Sequence, residues 1–204
     1  DQRLIIRGNG GAMRISEEKT SMPLNFRKSI QAEEKASIAR RALELLQPHS
    51  TIFVDASSTA ANLIDYLEPA MDLTVLTNGI LAAMCLCNAG IRTCCIGGYL
   101  SGSSMAVGGK IAHDTLEHFQ IDTLFFSSYG IEPQGTIVDP SEPESLLRRQ
   151  LLQKPITSVF LCDSSKFDKH SVFRVASLDR IDYVVTDVPL PPAYPLPRQG
   201  VLLA

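Results

Sequence analysis

The sequence has little charge imbalance: across 204 residues, 19 Lys and Arg face 22 Asp and Glu, a formal net charge of −3. That balance argues against a broad electropositive surface that grips a phosphate backbone as the main task of these residues. Long apolar runs are missing too. None approaches the ~20 residues of a membrane-spanning helix, and no charged-then-apolar leader opens the chain, so no membrane partner is expected. No internal repeat or low-complexity segment interrupts it. Cysteines are few and unpatterned: Cys85, Cys87, Cys94, Cys95 and Cys162 are odd in number and contain no C-x-x-C pair. This argues against a disulfide framework and makes a reducing cytoplasm the expected home. All five lie in apolar stretches and read as small buried hydrophobes, with Cys94 and Cys95 facing opposite sides of a strand. His113 and His118 miss the i, i+4 spacing that lets two histidines share a metal on one helix face, so no metal site is expected.

What is present is an ordinary globular composition, 45% hydrophobic and 20% charged. The length fits one domain, or one domain with a small appendage, and needs no disulfide or metal staple. Ile38, Ala42, Leu45 and Leu46 at helical spacing, with Ala39 and Leu43 widening the stripe, predict a helix from about Ala32 to Gln47. Glu33 and Glu34 suit its first turn, and Pro48 stops it. Beyond it, short apolar runs alternate with helical patterns. The runs are Thr51–Val54, Leu73–Leu76, Arg92–Ile96, Ile121–Phe126, Ser158–Leu161 and Ile181–Val185; the helical patterns lie near Ala60–Leu67, Ile80–Asn88, Ile111–Phe119 and Glu144–Leu152. Continuous apolar strands separated by amphipathic helices predict an α/β fold whose mostly parallel sheet is covered on both faces. The proline-rich tail from Val188 to Pro197 should wrap the surface before a last short strand at Val201–Leu203.

In an open parallel sheet, ligands bind outside the carboxyl ends of the strands. Here each run ends in small or polar residues. They are Asp55-Ala56-Ser57-Ser58-Thr59, Thr77-Asn78, Gly97-Gly98, Ser127-Ser128-Tyr129-Gly130, Asp163-Ser164-Ser165-Lys166 and Thr186-Asp187. Any one could be a cap or turn; together they predict one polar crevice. Three consecutive hydroxyl residues ahead of a helix let side chains and free amides converge on an anion. No G-x-x-x-x-G-K-[ST] lysine follows, so a phosphate monoester fits better than a nucleotide. Lys166 adds a positive charge, and Glu144 either caps its helix or reaches a sugar hydroxyl.

These pieces resemble the C-terminal effector-sensing domain of DeoR-family bacterial transcriptional regulators. The matching stretches are R-x-x-G-G-A (Arg7 to Ala12), Phe26-Arg27, E-K-x-x-I-A (Glu34 to Ala39) and D-x-G-T-T, which stands as Asp55 to Thr59. They continue with Thr77-Asn78, Gly97-Gly98, Gly130, Glu144 ahead of Arg148 and Arg149, Asp163 to Lys166, and Thr186-Asp187. The resemblance implies a fold similar to sugar-phosphate isomerases such as ribose-5-phosphate isomerase, with a phosphorylated sugar or related metabolite as ligand. It implies Asp55, Ser57, Ser58 and Thr59 at the phosphate end, and Thr77, Asn78, Gly97, Gly98, Gly130, Glu144 and Lys166 completing the pocket. Ser57 departs from the family's glycine, and a side chain there alters the loop if the position needs positive φ. The Arg27 spacing is irregular, so Arg27 is not counted as a site residue.

The resemblance makes residues 1–204 one sensor domain of a regulator, a repressor, of carbohydrate metabolism. No catalytic residue and no cofactor are expected. Because the chain opens on Asp1, a preceding winged helix-turn-helix is expected to carry the operator DNA contact. A sensor of this kind requires a homo-oligomer, a dimer or tetramer. Two alternatives stand beside it: a sugar-phosphate isomerase or deaminase, for which Asp55, Glu144 and Lys166 are the acid/base candidates, and an oligomerisation domain without a ligand.

Overall fold

The structure is a computed structural model that describes residues 5–8, 11–14 and 24–204. Asn9 and Gly10 of the R-x-x-G-G-A stretch lie outside the described residues. A hairpin of β1 (Ile5–Gly8) and β2 (Gly11–Arg14) comes first, then α1 (Leu24–Ser29) and α2 (Ala32–Ala42). There follow β3 (Thr51–Val54), β4 (Thr74–Thr77), α3 (Ile80–Asn88), β5 (Arg92–Cys95), β6 (Tyr99–Ser101), β7 (Ala106–Gly108) and α4 (Lys110–Leu116). The second half contains β8 (Thr123–Phe126), β9 (Gly130–Ile131), β10 (Thr136–Asp139), α5 (Glu142–Leu151), β11 (Thr157–Cys162), β12 (Phe173–Ser177), β13 (Tyr183–Thr186) and β14 (Gly200–Leu203).

Seven strands form one parallel sheet in the order β14-β13-β11-β8-β3-β4-β5. From β3 the chain winds outward through β4 to β5, returns to place β8 on the other side of β3, and continues to β14. The order therefore reverses between β3 and β8, where an open α/β sheet has its crevice. Side-chain alternation sends Ile52, Val54, Val75, Phe125 and Val159 to one face, against Ile38 and Ala42 of α2. Phe53, Leu76, Leu124, Phe126 and Phe160 point to the other, against Leu116 of α4 and Leu147 and Leu151 of α5. Burying each such side chain is worth about 1.5–3 kcal/mol. Burial on both faces is why these strands read as unbroken apolar runs.

The predicted elements recur with local differences. The first helix ends at Ala42, followed by a 3-10 turn at Leu43–Leu45 and an extended Leu46. Pro48 has no amide to continue the ladder. The segment Ala60–Tyr66 is 3-10 throughout. A three-stranded antiparallel sheet, β12-β10-β9, and the β6–β7 hairpin were not expected. Burial of the cysteines is also corrected: Cys162 is buried, but Cys85, Cys87 and Cys95 are exposed and Cys94 is half-buried. They lie on α3 and on β5, the sheet edge, where an apolar run packs on one side only. In the tail, Tyr194 is buried and accepts a hydrogen bond from the Asp168 amide at 2.9 Å. Among the described residues, no helix is long and apolar enough to cross a membrane.

Candidate functional site

The loop after β3 is closed on itself. Asp55, 1% exposed, accepts hydrogen bonds from the Ser57 amide at 3.1 Å and the Ser57 hydroxyl at 2.5 Å through Oδ1. The Ser57 hydroxyl in turn accepts the Ala60 amide at 3.1 Å. Ser57 does not have a left-handed backbone, so serine sits without strain where the family has glycine. From the neighbouring strand end, Asn78 Oδ1 accepts the Ala56 amide at 2.9 Å, and Thr77 Oγ1 accepts the Gly79 amide at 3.0 Å. Asn78 thus braces the β3 loop from behind, while Thr77 fixes the turn of its own strand end.

The loop after β11 is organised differently. Ser164 donates its amide and hydroxyl to Asp187 at 2.7 and 2.8 Å, which fixes the 3-10 turn Ser164–Lys166. Lys166 Nζ donates to Thr59 Oγ1 at 2.8 Å and Ser127 Oγ at 2.5 Å, tying together the ends of β3, β8 and β11. Gly130 is needed nearby because a Cβ there would stand 2.4 Å from Lys169 Cβ and 2.9 Å from the Lys166 carbonyl oxygen. Asp163 is 1% exposed; Ser165 donates to its Oδ1, while Oδ2 accepts no hydrogen bond among the described residues. Lys166 Nζ stands 3.8 Å from that oxygen. Burial pushes the Asp163 carboxyl up, but Lys166, the Ser165 hydroxyl and Lys35 outweigh it and hold the group below its ordinary value.

Above these loops lies a cavity of about 200 Å³. Ser57, Ser58, Ser128, Asp163, Ser165 and Lys166 form its strand-end wall. Asp139, Glu144 and Arg148 form a second wall. Arg148, 3% exposed, donates to Asp55 at 2.8 Å, Asp139 at 2.9 Å and Glu144 at 3.1 Å. Burial opposes its charge, but the three carboxylates overcome this and hold the guanidinium more firmly protonated than usual. Arg27 of α1 and Lys35 of α2 form the third wall, and the β6–β7 turn adds Ser101, Ser103 and Ser104. The Ser104 hydroxyl is buried without a partner among the described residues.

Of the residues expected at a site, Ser57, Ser58, Glu144 and Lys166 line this cavity. Asp55 and Thr59 lie directly behind it, bound to Arg148 and Lys166. Thr77, Asn78 and Gly130 act at one remove, as supports. Gly97 and Gly98 do not line the cavity. Gly98 is instead forced by contact with the β6–β7 hairpin, since a Cβ would meet the Gly108 carbonyl oxygen at 2.4 Å. Arg27, set aside for its irregular spacing, lines the cavity after all. Asp163 was expected as part of the strand-end crevice but not named as a ligand contact, and Lys35, Arg148 and Asp139 were not expected at the site. For Lys35 the signal was a lysine beside the apolar stripe of α2; for Arg148 it was the i, i+4 pairing with Glu144.

Residues 30–188 match the DeoR C terminal sensor domain. The chain belongs to the DeoR family. It is 33% identical over 189 residues to the L-fucose operon activator of Haemophilus influenzae, covering 92% of this chain and 76% of that protein. It is 27% identical over 192 residues to the glycerol-3-phosphate regulon repressor of Escherichia coli K12, covering 94% and 76%. The DeoR relatives thus include an activator and a repressor. Among solved structures, ribose 5-phosphate isomerase A of Methanocaldococcus jannaschii aligns with a TM-score of 0.51 and 17% identity, over 67% of this chain and 55% of that one. The Pyrococcus horikoshii translation initiation factor eIF-2B aligns with a TM-score of 0.55 and 13% identity, over 76% and 62%. The aligned region thus spans little more than half the length of the isomerase. At these identities the likeness shows the fold: that of sugar-phosphate isomerases.

Proposed function

We propose that this DeoR sensor domain binds a phosphorylated sugar, or a closely related polyol phosphate, in the cavity over the β3, β8 and β11 strand ends. The observation that carries this reading is the open Oδ2 of Asp163 beside Lys166. A buried, ionised acceptor without a donor is costly unless a ligand hydroxyl satisfies it. Lys166, Lys35 and Arg27 supply charge for an anionic group, and the surrounding serines supply hydroxyls. A cavity of about 200 Å³ is below the range of roughly 300–1,000 Å³ for drug-sized ligands and suits a small metabolite.

We read the site as a binding site without turnover. Asp139 and Glu144 are committed to Arg148, and Asp163 is held ionised below its ordinary value, whereas a base abstracting a sugar proton works best near neutrality. The relatives' names as activator and repressor support the same reading. Signal output requires a homo-oligomer. Among the described residues the outer edge of β5 has no partner strand, and the chain runs on from it to exposed Tyr99, Leu100 and Ile111; this supports self-association there, because a second copy presents the same edge.

The test is thermal unfolding with a panel of sugar phosphates. A ligand at a hundredfold excess over its Kd adds about 2.7 kcal/mol. No response to any member overturns the reading; turnover of a responding member moves the chain to the enzymes. Sedimentation of the wild type beside Tyr99→Asp checks the self-association, which a monomeric wild type contradicts.

A further inference from the structure

Arg27 is the one cavity-lining cation whose side chain has neither a hydrogen bond nor an ion pair among the described residues. Its Nε is buried without a partner. Glu144, Asp139 and Asp55 attract it from a distance, but Arg148 already occupies those carboxylates and repels a second guanidinium. Burial lowers its basicity, a cost that no direct contact offsets. The backbone around it is held from inside the pocket. Lys35, 4% exposed, donates through Nζ to the carbonyl oxygens of Arg27 and Ile30, both at 2.6 Å, and to Ser58 Oγ at 3.4 Å. One buried ammonium therefore ties the exit of α1 to the cavity floor. The rest of α1 is weakly anchored. It has six residues, too few for a helix stable by itself, and Leu24 is the buried one among its described side chains. Among the described residues it is also the first helix after the β1–β2 hairpin.

We propose that Arg27 and Lys35 form an anion-binding clamp on the α1–α2 turn, so that the phosphate of an effector closes α1 over the cavity and makes α1 the ligand-dependent element that follows the hairpin in the order of the described elements. This rests on the reading of the cavity as a site for a phosphorylated ligand. A phosphate monoester brings the partners that the Arg27 guanidinium lacks, with bidentate geometry available. It also meets the positive charge of Lys35, whose ammonium already holds the Arg27 and Ile30 carbonyls and reaches Ser58 Oγ. Binding then favours the closed position of α1 by the difference in contacts between the two positions.

The experiment combines thermal shift with amide hydrogen exchange on the 204-residue chain. The probes are inorganic phosphate, ribose 5-phosphate and glucose 6-phosphate, with chloride at equal ionic strength as control. The expected result is a thermal shift with at least one probe, together with slower exchange across residues 24–31. In Arg27→Gln, affinity falls about tenfold and the protection of 24–31 is lost; Arg27→Lys restores part of both. A thermal shift that leaves exchange at 24–31 unchanged, or protection that survives in Arg27→Gln, overturns the clamp and leaves the binding site standing. No shift with any probe overturns both readings.

Discussion

The loops after β3 and β11 start alike, each with an aspartate 1% exposed at the carboxyl end of a central strand, yet they do different things. Asp55 has both oxygens filled, by Ser57 and Arg148. Asp163 has one oxygen filled, and the other accepts no hydrogen bond among the described residues. A buried carboxylate with every acceptor satisfied is part of the fold. One left open beside a cation and a cavity is a place for something else. The same contrast separates the arginines: Arg148 is saturated by three carboxylates, while Arg27 waits at the cavity wall.

The sharpest way to break this contrast is Arg148→Met. It leaves Asp55 and Asp139 as buried charges without their partner, and should cost about 3–5 kcal/mol in denaturant unfolding, with any effector response lost alongside. Next, Asp55→Asn keeps one acceptor for the β3 loop but removes the charge paired with Arg148 and places an NH2 donor where an acceptor stood, and should cost about 2–3 kcal/mol by the same measurement. Asp163→Asn should change stability at neutral pH by about 1 kcal/mol or less while abolishing the thermal shift by sugar phosphates. If Asp163→Asn destabilises the chain as much as Asp55→Asn does, the distinction between the two loops falls. Lys166→Ala should likewise remove the shift and leave a cooperative fold, at a cost of about 1 kcal/mol for its bonds to Thr59 and Ser127.

The smallest effect is in pH. Because the folded Asp163 carboxyl lies below its ordinary value of 3.8, its contribution to stability is present above that value. It is lost as pH falls through the lower folded-state value. The stability gap between wild type and Asp163→Asn should therefore narrow under acid titration, starting near that ordinary value.

Much of the sheet was legible because its strands are buried on both faces, so composition alone marks Thr51–Val54 or Ile121–Phe126. The small antiparallel sheet was not. β10 and β12 are short and paired across more than thirty residues of chain, and β12 is partly open to solvent, so their pattern differs little from loop. The exposed cysteines show the same limit, since an apolar run at a sheet edge looks like one at its centre. At the site, strand-end residues could be named as a group because topology gathers them. The helix wall could not, since the Arg148 bond to Asp55 joins residues 93 positions apart.

By itself, then, the sequence determined the class of fold, the family and the polar character of the strand ends, because periodicity and short motifs are local quantities. Only the tertiary structure decided which of those polar residues hold the loops and which face the cavity. Whether a buried charge is satisfied depends on partners that the chain brings together from distant segments.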